Sequence, residues 1–394
     1  MAEPGPLRVV FLAHAFPRFE DDLTGGFLLR LAVALRAEGA EVVAVAPAAA
    51  GLAPAERLRG VEVRRYRYAP RRAERLAYAG EMHRRAASPA GALALAGLLG
   101  AGALAARRAA RGADLVHAHW WFPAGVQAVA ARTGLPLVTT LHGTDVRLAR
   151  SRRGARAACA RVLRASARVT AVSGWLAEQA AAFAPGLARP VTVAPMPVDD
   201  LAFSPGPADR PRDELLFVGR LDRQKGADVA VRALAGLNGP AAALPLRVVG
   251  TGPEQAALRR LAGELGVAGR VRWEGQLPQA ELADRYRRAA ALVVPGRDEG
   301  LGLVAVEGQL SGAPVVAAAS GGLLDVVADG RTGRTFPPGQ PEALARAVEA
   351  VLADPAGTAR MAAEARKRAA ARFGPAGAAN AYAAIYAEAH RRRS

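Results

Sequence analysis

The sequence contains one cysteine, Cys159, in 394 residues. That excludes an intramolecular disulfide and any zinc or iron–sulfur cage built on cysteine ligands. Lysine is nearly missing as well: Lys225 and Lys367 are the only two among 53 basic residues. Arg is the default cation, and Ala, Gly and Leu are abundant, so raw Arg counts reflect a compositional bias and carry little information. Aromatic residues make up only 5%. Residues 1–13 lack a basic start followed by a long apolar run, so no signal peptide is expected and a reduced cytoplasmic setting fits. What is there is 51% hydrophobic and 22% charged, the balance of a globular chain, with a length that suits two domains.

The charge is uneven. Residues 1–197 carry 27 basic and 13 acidic side chains, whereas residues 198–394 carry 26 and 22. Arg57 to Arg111 holds thirteen Arg against Glu62, Glu74 and Glu81, with Tyr66, Tyr68, Leu76 and Tyr78 interleaved. Such a field suits anionic lipid, nucleic acid or phosphorylated substrates, and the pattern suggests that residues 57–111 dock on an anionic membrane surface. An Arg-rich solvated face is the alternative. The uncharged run Ser88–Ala106 has the length of a membrane span. Its Ala/Gly composition, and its place before an apolar strand, argue instead for a crossover helix, buried or interfacial.

Short β-rich runs alternate with helical stretches throughout, the habit of parallel α/β folds. Strands are expected at Arg8–Leu12, Glu41–Ala46, Leu115–His117, Leu137–Thr140, Val169–Ala171 and Val191–Val193 in the first half. In the second they are expected at Glu214–Val218, Leu246–Val249, Val271–Trp273, Ala291–Val294 and Val315–Ala317. Pro195–Pro211 has five prolines in seventeen residues and reads as the linker between domains.

The most informative segment is Pro295–Ala317, where a strand ends, a Gly-rich loop follows and an amphipathic helix begins near Gly302. Free N–H groups at such a helix start suit a phosphate or a sugar hydroxyl. Glu299 and Glu307 stand eight residues apart, a little over two helical turns, so both carboxylates can face one cleft. Alone, that spacing is also what two solvated helix charges would show.

Glu299-Gly-Leu-Gly-Leu-Val-Ala-Val-Glu307, followed by Ser311-Gly-Ala-Pro-Val-Val-Ala317, closely resembles the E-x7-E signature of the family 4 retaining glycosyltransferases. Val218–Gly226, with Arg220 and Lys225, resembles that family's diphosphate segment. Val249–Glu254 and Glu274–Pro278 resemble its nucleobase loops, and Gly321–Gly333 the stretch after its second Glu. Thr24–Gly26, Asp114–His119, Thr140–Asp145 and Ala171–Ser173 also fit, so the likeness covers nearly the whole chain.

The resemblance implies a GT-B fold: α/β, two Rossmann-like doubly wound parallel-sheet domains facing each other across a cleft. Residues 1–197 would bind the acceptor and 198–372 the donor, with a C-terminal helix at 373–394 crossing back onto the first domain. It further implies catalytic roles for His142, Arg220, Lys225 and Glu299. Donor contacts would come from Gly25, Gly26, Gly250, Gly252, Leu277, Gly300, Leu301, Gly302, Leu303 and Glu307, with Glu299 on the sugar and Glu307 on the ribose. His117, His119, Trp120 and Asp145 are candidates for the acceptor, and aromatic packing at a domain edge is as good a reading of that cluster. Met196-Pro197 departs from the Gly-containing turn usual in the family, and Asp325 stands where Glu is common.

The expected activity is metal-independent hexosyl transfer, with retention, from a UDP- or GDP-sugar to a glycan, lipid-linked or small-molecule acceptor, by a front-face mechanism. The donor is a substrate, and no tightly bound cofactor is expected. The enzyme would be cytoplasmic, peripheral on the inner membrane face if the basic region docks there. Another nucleotide-sugar enzyme of the same fold, such as an epimerase, is the alternative. A phosphorylase would need a pyridoxal-phosphate lysine in a much longer chain, and Lys367 lies in a charged helical run. A nucleic-acid binder is disfavoured, since no helix-turn-helix, RNP strand or zinc module is present.

Overall fold

The computed structural model describes residues 5–22, 24–78, 82–207 and 211–391. Glu81, counted above among the acids, residues 208–210 of the proline-rich segment and residues 392–394 of the C-terminal run lie outside the described residues. The chain forms two compact units, Met1–Pro197 with Pro375–Ser394, and Val198–Gly374.

The first unit holds β1 (Arg8–Leu12), β2 (Glu41–Pro47), β3 (Ala55–Leu58), β4 (Val61–Tyr66), β5 (Leu115–His119), β6 (Leu137–Leu141), β7 (Arg168–Ala171) and β8 (Thr192–Val193). They lie in the order β3-β4-β2-β1-β5-β6-β7-β8, and every pairing is parallel except β3 with β4. The second unit holds β9 (Glu214–Val218), β10 (Leu246–Val249), β11 (Val271–Gly275), β12 (Ala289–Val294), β13 (Val315–Ala318) and β14 (Arg334–Phe336). Their order is β11-β10-β9-β12-β13-β14, all parallel. Continuous apolar runs such as Ala289–Val294, buried at every position, are what a sheet covered on both faces demands. Strand order reverses between β1 and β5 in one unit and between β9 and β12 in the other. In open parallel sheets, ligands bind beyond the carboxyl ends of the strands at such a reversal.

The C-terminal helix Pro375–His390 packs on the first unit, with Tyr382 and Tyr386 fully buried. The Tyr382 hydroxyl donates to the Ala194 carbonyl at 3.0 Å, and Arg168 pairs with Glu388 at 2.7 Å. The stretch after Pro197 is held rather than loose. Val198 N–H donates to the Phe373 carbonyl at 2.8 Å, and Arg287 donates to the Ser204 carbonyl at 2.7 Å.

Three strands are additions to the expected set: β3, β4 and the three-residue β14. The first two change the reading of the basic region. Tyr66, Tyr68 and Leu76 are buried core residues, so the interleaved aromatic pattern is packing against the sheet and not a membrane-facing surface. Arg65 is inside as well. Its guanidinium bonds the Glu56 carboxylate at 2.6 Å, the Tyr78 hydroxyl at 3.0 Å and the Pro17 carbonyl at 2.6 Å. Removing one partner of a buried pair strands the other, so Arg65→Met is expected to lower the unfolding free energy by about 3–5 kcal/mol. Arg64→Met, at an exposed pair with Glu62, should cost less than about 1 kcal/mol. Denaturant midpoints of the two variants measure the contrast, and equal small shifts would contradict the buried role of Arg65.

Candidate active site

In the second unit, the loops that leave β9, β12 and β13 are stitched together at the strand-order reversal. Asp222 accepts the backbone N–H of Gln224 and of Lys225, both at 3.1 Å, which folds the loop after β9 into a tight turn. Arg297 N–H then donates to the Gln224 carbonyl at 2.8 Å, and the Gln224 amide donates to the Asp298 carbonyl at 3.2 Å. Asp298 has a left-handed backbone, φ 50°, and its N–H donates to Ser320 Oγ at 3.0 Å. Gly322 N–H closes the set on the Glu299 carbonyl at 2.8 Å.

These constraints bring Lys225 and Glu299, 74 residues apart, face to face. Lys225 Nζ donates to both carboxylate oxygens, at 2.7 and 2.9 Å. Glu299 is buried, Lys225 half-buried, and Arg220 more than half exposed with its guanidinium 3.6 Å from Asp222. The helix Leu303–Leu310 begins just beyond, with Gly302 in the left-handed region at φ 89° as its N-cap. First-turn N–H groups of a helix have no partner within it. Gly300 and Leu301 precede this helix, Gly302 caps it and Leu303 opens its first turn. Contrary to the expectation from spacing, Glu299 lies four residues before the helix, so helical periodicity does not relate it to Glu307.

Glu307, on that helix, accepts a hydrogen bond at 2.8 Å from the fully buried hydroxyl of Tyr286. Sequence reading missed Tyr286. The one signal was a bulky residue with Ala283 on the apolar side of the charged helix Gln279–Arg288. The remaining candidates line the neighbouring strand ends. Gly250 has φ 135°, and a Cβ there would lie 1.9 Å from the Gly219 carbonyl oxygen, so the loops after β9 and β10 touch only because that side chain is missing. Gly250 N–H also bonds the Gly275 carbonyl at 2.6 Å, next to the half-buried Leu277. Gly252 packs on Leu221 in the same way. Asp325 is engaged by Arg372, which donates to its carbonyl at 2.8 Å and its carboxylate at 3.3 Å.

In the first unit the reversal between β1 and β5 gathers aromatic rings. Gly25 caps the helix Gly26–Ala37 at φ 76°, with no room for a Cβ against the Ala15 carbonyl. His142, just past β6, lies with its ring 4.5 Å from Trp120 and 5.3 Å from Phe27, and its Nε2 is 3.3 Å from His119 Nδ1. His14 stacks edge-on to Trp120 at 4.5 Å. Burial lowers the pKa of His142 to about 3, with a smaller contribution from His14, and burial lowers that of His14 to about 4, so both are neutral at pH 7.

Two acceptor candidates take structural roles instead. His117 is fully buried, with Nδ1 2.7 Å from the Tyr386 hydroxyl and Nε2 2.6 Å from Thr140 Oγ1, so neither nitrogen is left for a ligand. Asp145 is buried too, and accepts backbone N–H groups from Trp121, His142, Gly143 and Val146. Burial nevertheless pushes its carboxyl up to about 6. His119 is fully buried beside His117, and Trp120 is buried with only a narrow edge exposed.

The profile described as Glycosyltransferase Family 4 matches residues 25–200, and that described as Glycosyl transferases group 1 matches residues 200–368. A D-inositol 3-phosphate glycosyltransferase of Frankia alni is 38% identical over 292 residues, 65% of this chain and 70% of the relative. The chain belongs to the family 4 glycosyltransferases. A glycogen synthase of Mycobacterium tuberculosis is 35% identical to this glycosyltransferase over 297 residues, 71% of the chain and 69% of the relative. For D-inositol 3-phosphate glycosyltransferase 1 of Catenulispora acidiphila, 36% identical, the alignment spans 62% of the chain and 65% of the relative. Among solved structures, sucrose-phosphate synthase from Thermosynechococcus elongatus matches with a TM-score of 0.78 at 25% identity, covering 98% of this chain and 100% of that one. Anabaena HepE, solved with UDP and glucose, matches at 0.74 and 20% identity, covering 97% and 99%. The glycosyltransferase has the GT-B fold of these neighbours.

Proposed function

We propose that this glycosyltransferase moves a hexose from a nucleoside-diphosphate sugar to a hydroxyl of a glycan, lipid-linked or small-molecule acceptor, with retention of configuration and without a divalent metal. The observation that carries the reading is the Lys225–Glu299 pair at the β9/β12 reversal, with Arg220 alongside. HepE is solved with UDP-glucose and starch synthase IV with ADP, which supports a nucleotide donor. Relatives named for inositol 3-phosphate and for glycogen leave acceptor classes as different as a small polyol phosphate and a polysaccharide in play.

In the proposed reaction the bond between the anomeric carbon and the diphosphate oxygen breaks, and the acceptor oxygen bonds to that carbon on the same face. The acceptor proton passes to the departing phosphate oxygen. Arg220 and Lys225 stabilise the charge that develops on the diphosphate, Glu299 holds the hexose and Glu307 the ribose diol. Neutral His142 can donate or accept a hydrogen bond to the hexose without adding charge. NMR of the product in the presence of chelator tests this: an inverted anomeric centre, or activity lost with the metal, would contradict it. A thermal-shift panel of UDP, GDP, ADP and their sugars identifies the donor, because a ligand of the native state raises the melting temperature.

A sharper expectation attaches to Tyr286. Its hydroxyl is the partner that fixes one Glu307 oxygen, so Tyr286→Phe should weaken a ribonucleoside diphosphate by roughly 1.5 kcal/mol, about tenfold. The 2′,3′-dideoxy analogue should bind the variant and the native enzyme alike. Titration calorimetry with both ligands makes the measurement, and an equal loss for both would mean that Tyr286 only supports the fold.

A further inference from the structure

The helix Pro89–Ala109 is apolar on two opposite sides. Ala94, Leu98, Gly102, Ala106 and Ala109 form its buried side. Half a turn away, Leu93, Ala96, Gly100 and Leu104 follow one another at helical spacing on the solvent side, with Leu93 77% and Leu104 49% exposed. No charged residue stands between Ser88 and Ala106. A surface helix of a water-soluble domain ordinarily carries its polar residues on that outer side. Here polarity is moved to the two ends: Arg84 and Arg85 precede the helix, Arg107 and Arg108 occupy its last turn, and Arg111 follows, all of them exposed. Among the described residues this is the one helix long and apolar enough to cross a bilayer. It does not span one in this fold, because its inner side is packed on the first unit's sheet and on the helix Val126–Ala131.

We propose that this outer face lies flat on an anionic phospholipid surface, with Leu93 and Leu104 in the boundary between headgroups and acyl chains and the flanking arginines on the headgroups. A helix with an apolar face and basic flanks has the physical character of an interfacial anchor. Charge selects lipid over a second copy of the chain: two such faces paired about a two-fold axis would set one arginine cluster against another. This surface narrows the expected docking region 57–111 to its apolar helix and flanking arginines, since Tyr66 and Tyr68 are buried and Tyr78 is half-buried. It belongs to the first unit, whereas the residues proposed to hold the nucleoside diphosphate, Arg220, Lys225 and Glu307, belong to the second, so the two ideas fail separately.

The test is co-sedimentation of the full chain with phosphatidylcholine vesicles, with and without phosphatidylglycerol. The expected result is binding to the phosphatidylglycerol vesicles only. Loss of at least about tenfold in partition is expected both for Leu93→Asp/Leu104→Asp and for Arg107→Glu/Arg108→Glu. Thermal shift by nucleoside diphosphate, read on the same samples, should be unchanged in both variants, which shows that they are folded and that donor binding stands apart. Binding to neither vesicle, equal binding to both, full retention by the Leu93/Leu104 variant, or a dimer that this variant dissociates without any lipid binding would each overturn the proposal.

Discussion

Glu299→Gln is expected to lower kcat by about 10²–10³ while tightening the binding of free nucleoside diphosphate several-fold. The first half follows from the proposed role of Glu299 on the reacting hexose. The second follows from geometry: the Lys225 ammonium is held by both Glu299 oxygens at 2.7 and 2.9 Å, and a phosphate must share or displace that carboxylate. A neutral amide releases the ammonium to the diphosphate. Lys225→Met should behave in the opposite way toward the ligand, raising Kd for nucleoside diphosphate by roughly tenfold or more, since a charge-assisted hydrogen bond contributes about 1.5–3 kcal/mol. Turnover should fall in this variant too. Stopped-flow turnover and calorimetric titration of both variants decide the matter. A shift of Kd in the same direction for both would refute the diphosphate assignment.

The second large effect is on acid stability. All six histidines of the chain fall within the first unit. Burial lowers the pKa of His14 to about 4 and of His142 to about 3, and holds His117 and His119 well below the usual imidazole value. The unfolded chain takes up these protons near pH 6.5 and the folded chain does not. The stabilisation is thus complete above pH 6.5 and is lost progressively as pH falls toward the folded values. At pH 5 the loss is about 2 kcal/mol each for His14 and His142, and His117 and His119 act in the same direction. Asp145, raised to about 6, acts with the opposite sign and returns roughly 1 kcal/mol over the same interval. Calorimetry at pH 7 and pH 5 should show the unfolding of Met1–Pro197 with Pro375–Ser394 moving to markedly lower temperature, and that of Val198–Gly374 moving far less. Equal shifts, or none above pH 5, would refute the burial of the cluster.

Much of this architecture is legible in the sequence because parallel strands buried on both faces need uninterrupted apolar runs, and Arg8–Leu12 or Glu214–Val218 announce themselves in that way. β4 is hidden for the converse reason. Its inward position 65 is an arginine, satisfied by Glu56, Tyr78 and Pro17, so the alternation that marks a strand is broken by a charge. The glycines and carboxylates of the donor loops are legible through family resemblance, since local chain geometry constrains them. Contacts made across strands are not: Phe27 and Trp120 meet His142, and His14 meets Trp120, only because β1, β5 and β6 lie side by side in the sheet. Asp145 shows the limit from the other side. A carboxylate just after a strand reads as a ligand, whereas here four backbone N–H groups consume it.

The return of the helix Pro375–His390 to the first unit also bears on how the protein is made. On the ribosome the first 197 residues emerge early, yet the helix that brings Tyr382 and Tyr386 into that unit's interior, beside His117 and Thr140, is synthesised only after the whole of 198–374. The middle segment, 198–374, has all its own strands in hand before the leading segment has its last piece. Vectorial synthesis therefore completes the two halves in reverse order. A polypeptide cut after residue 197 would be left with a gap where two buried tyrosines belong, one that a separately supplied 375–391 peptide would have to fill.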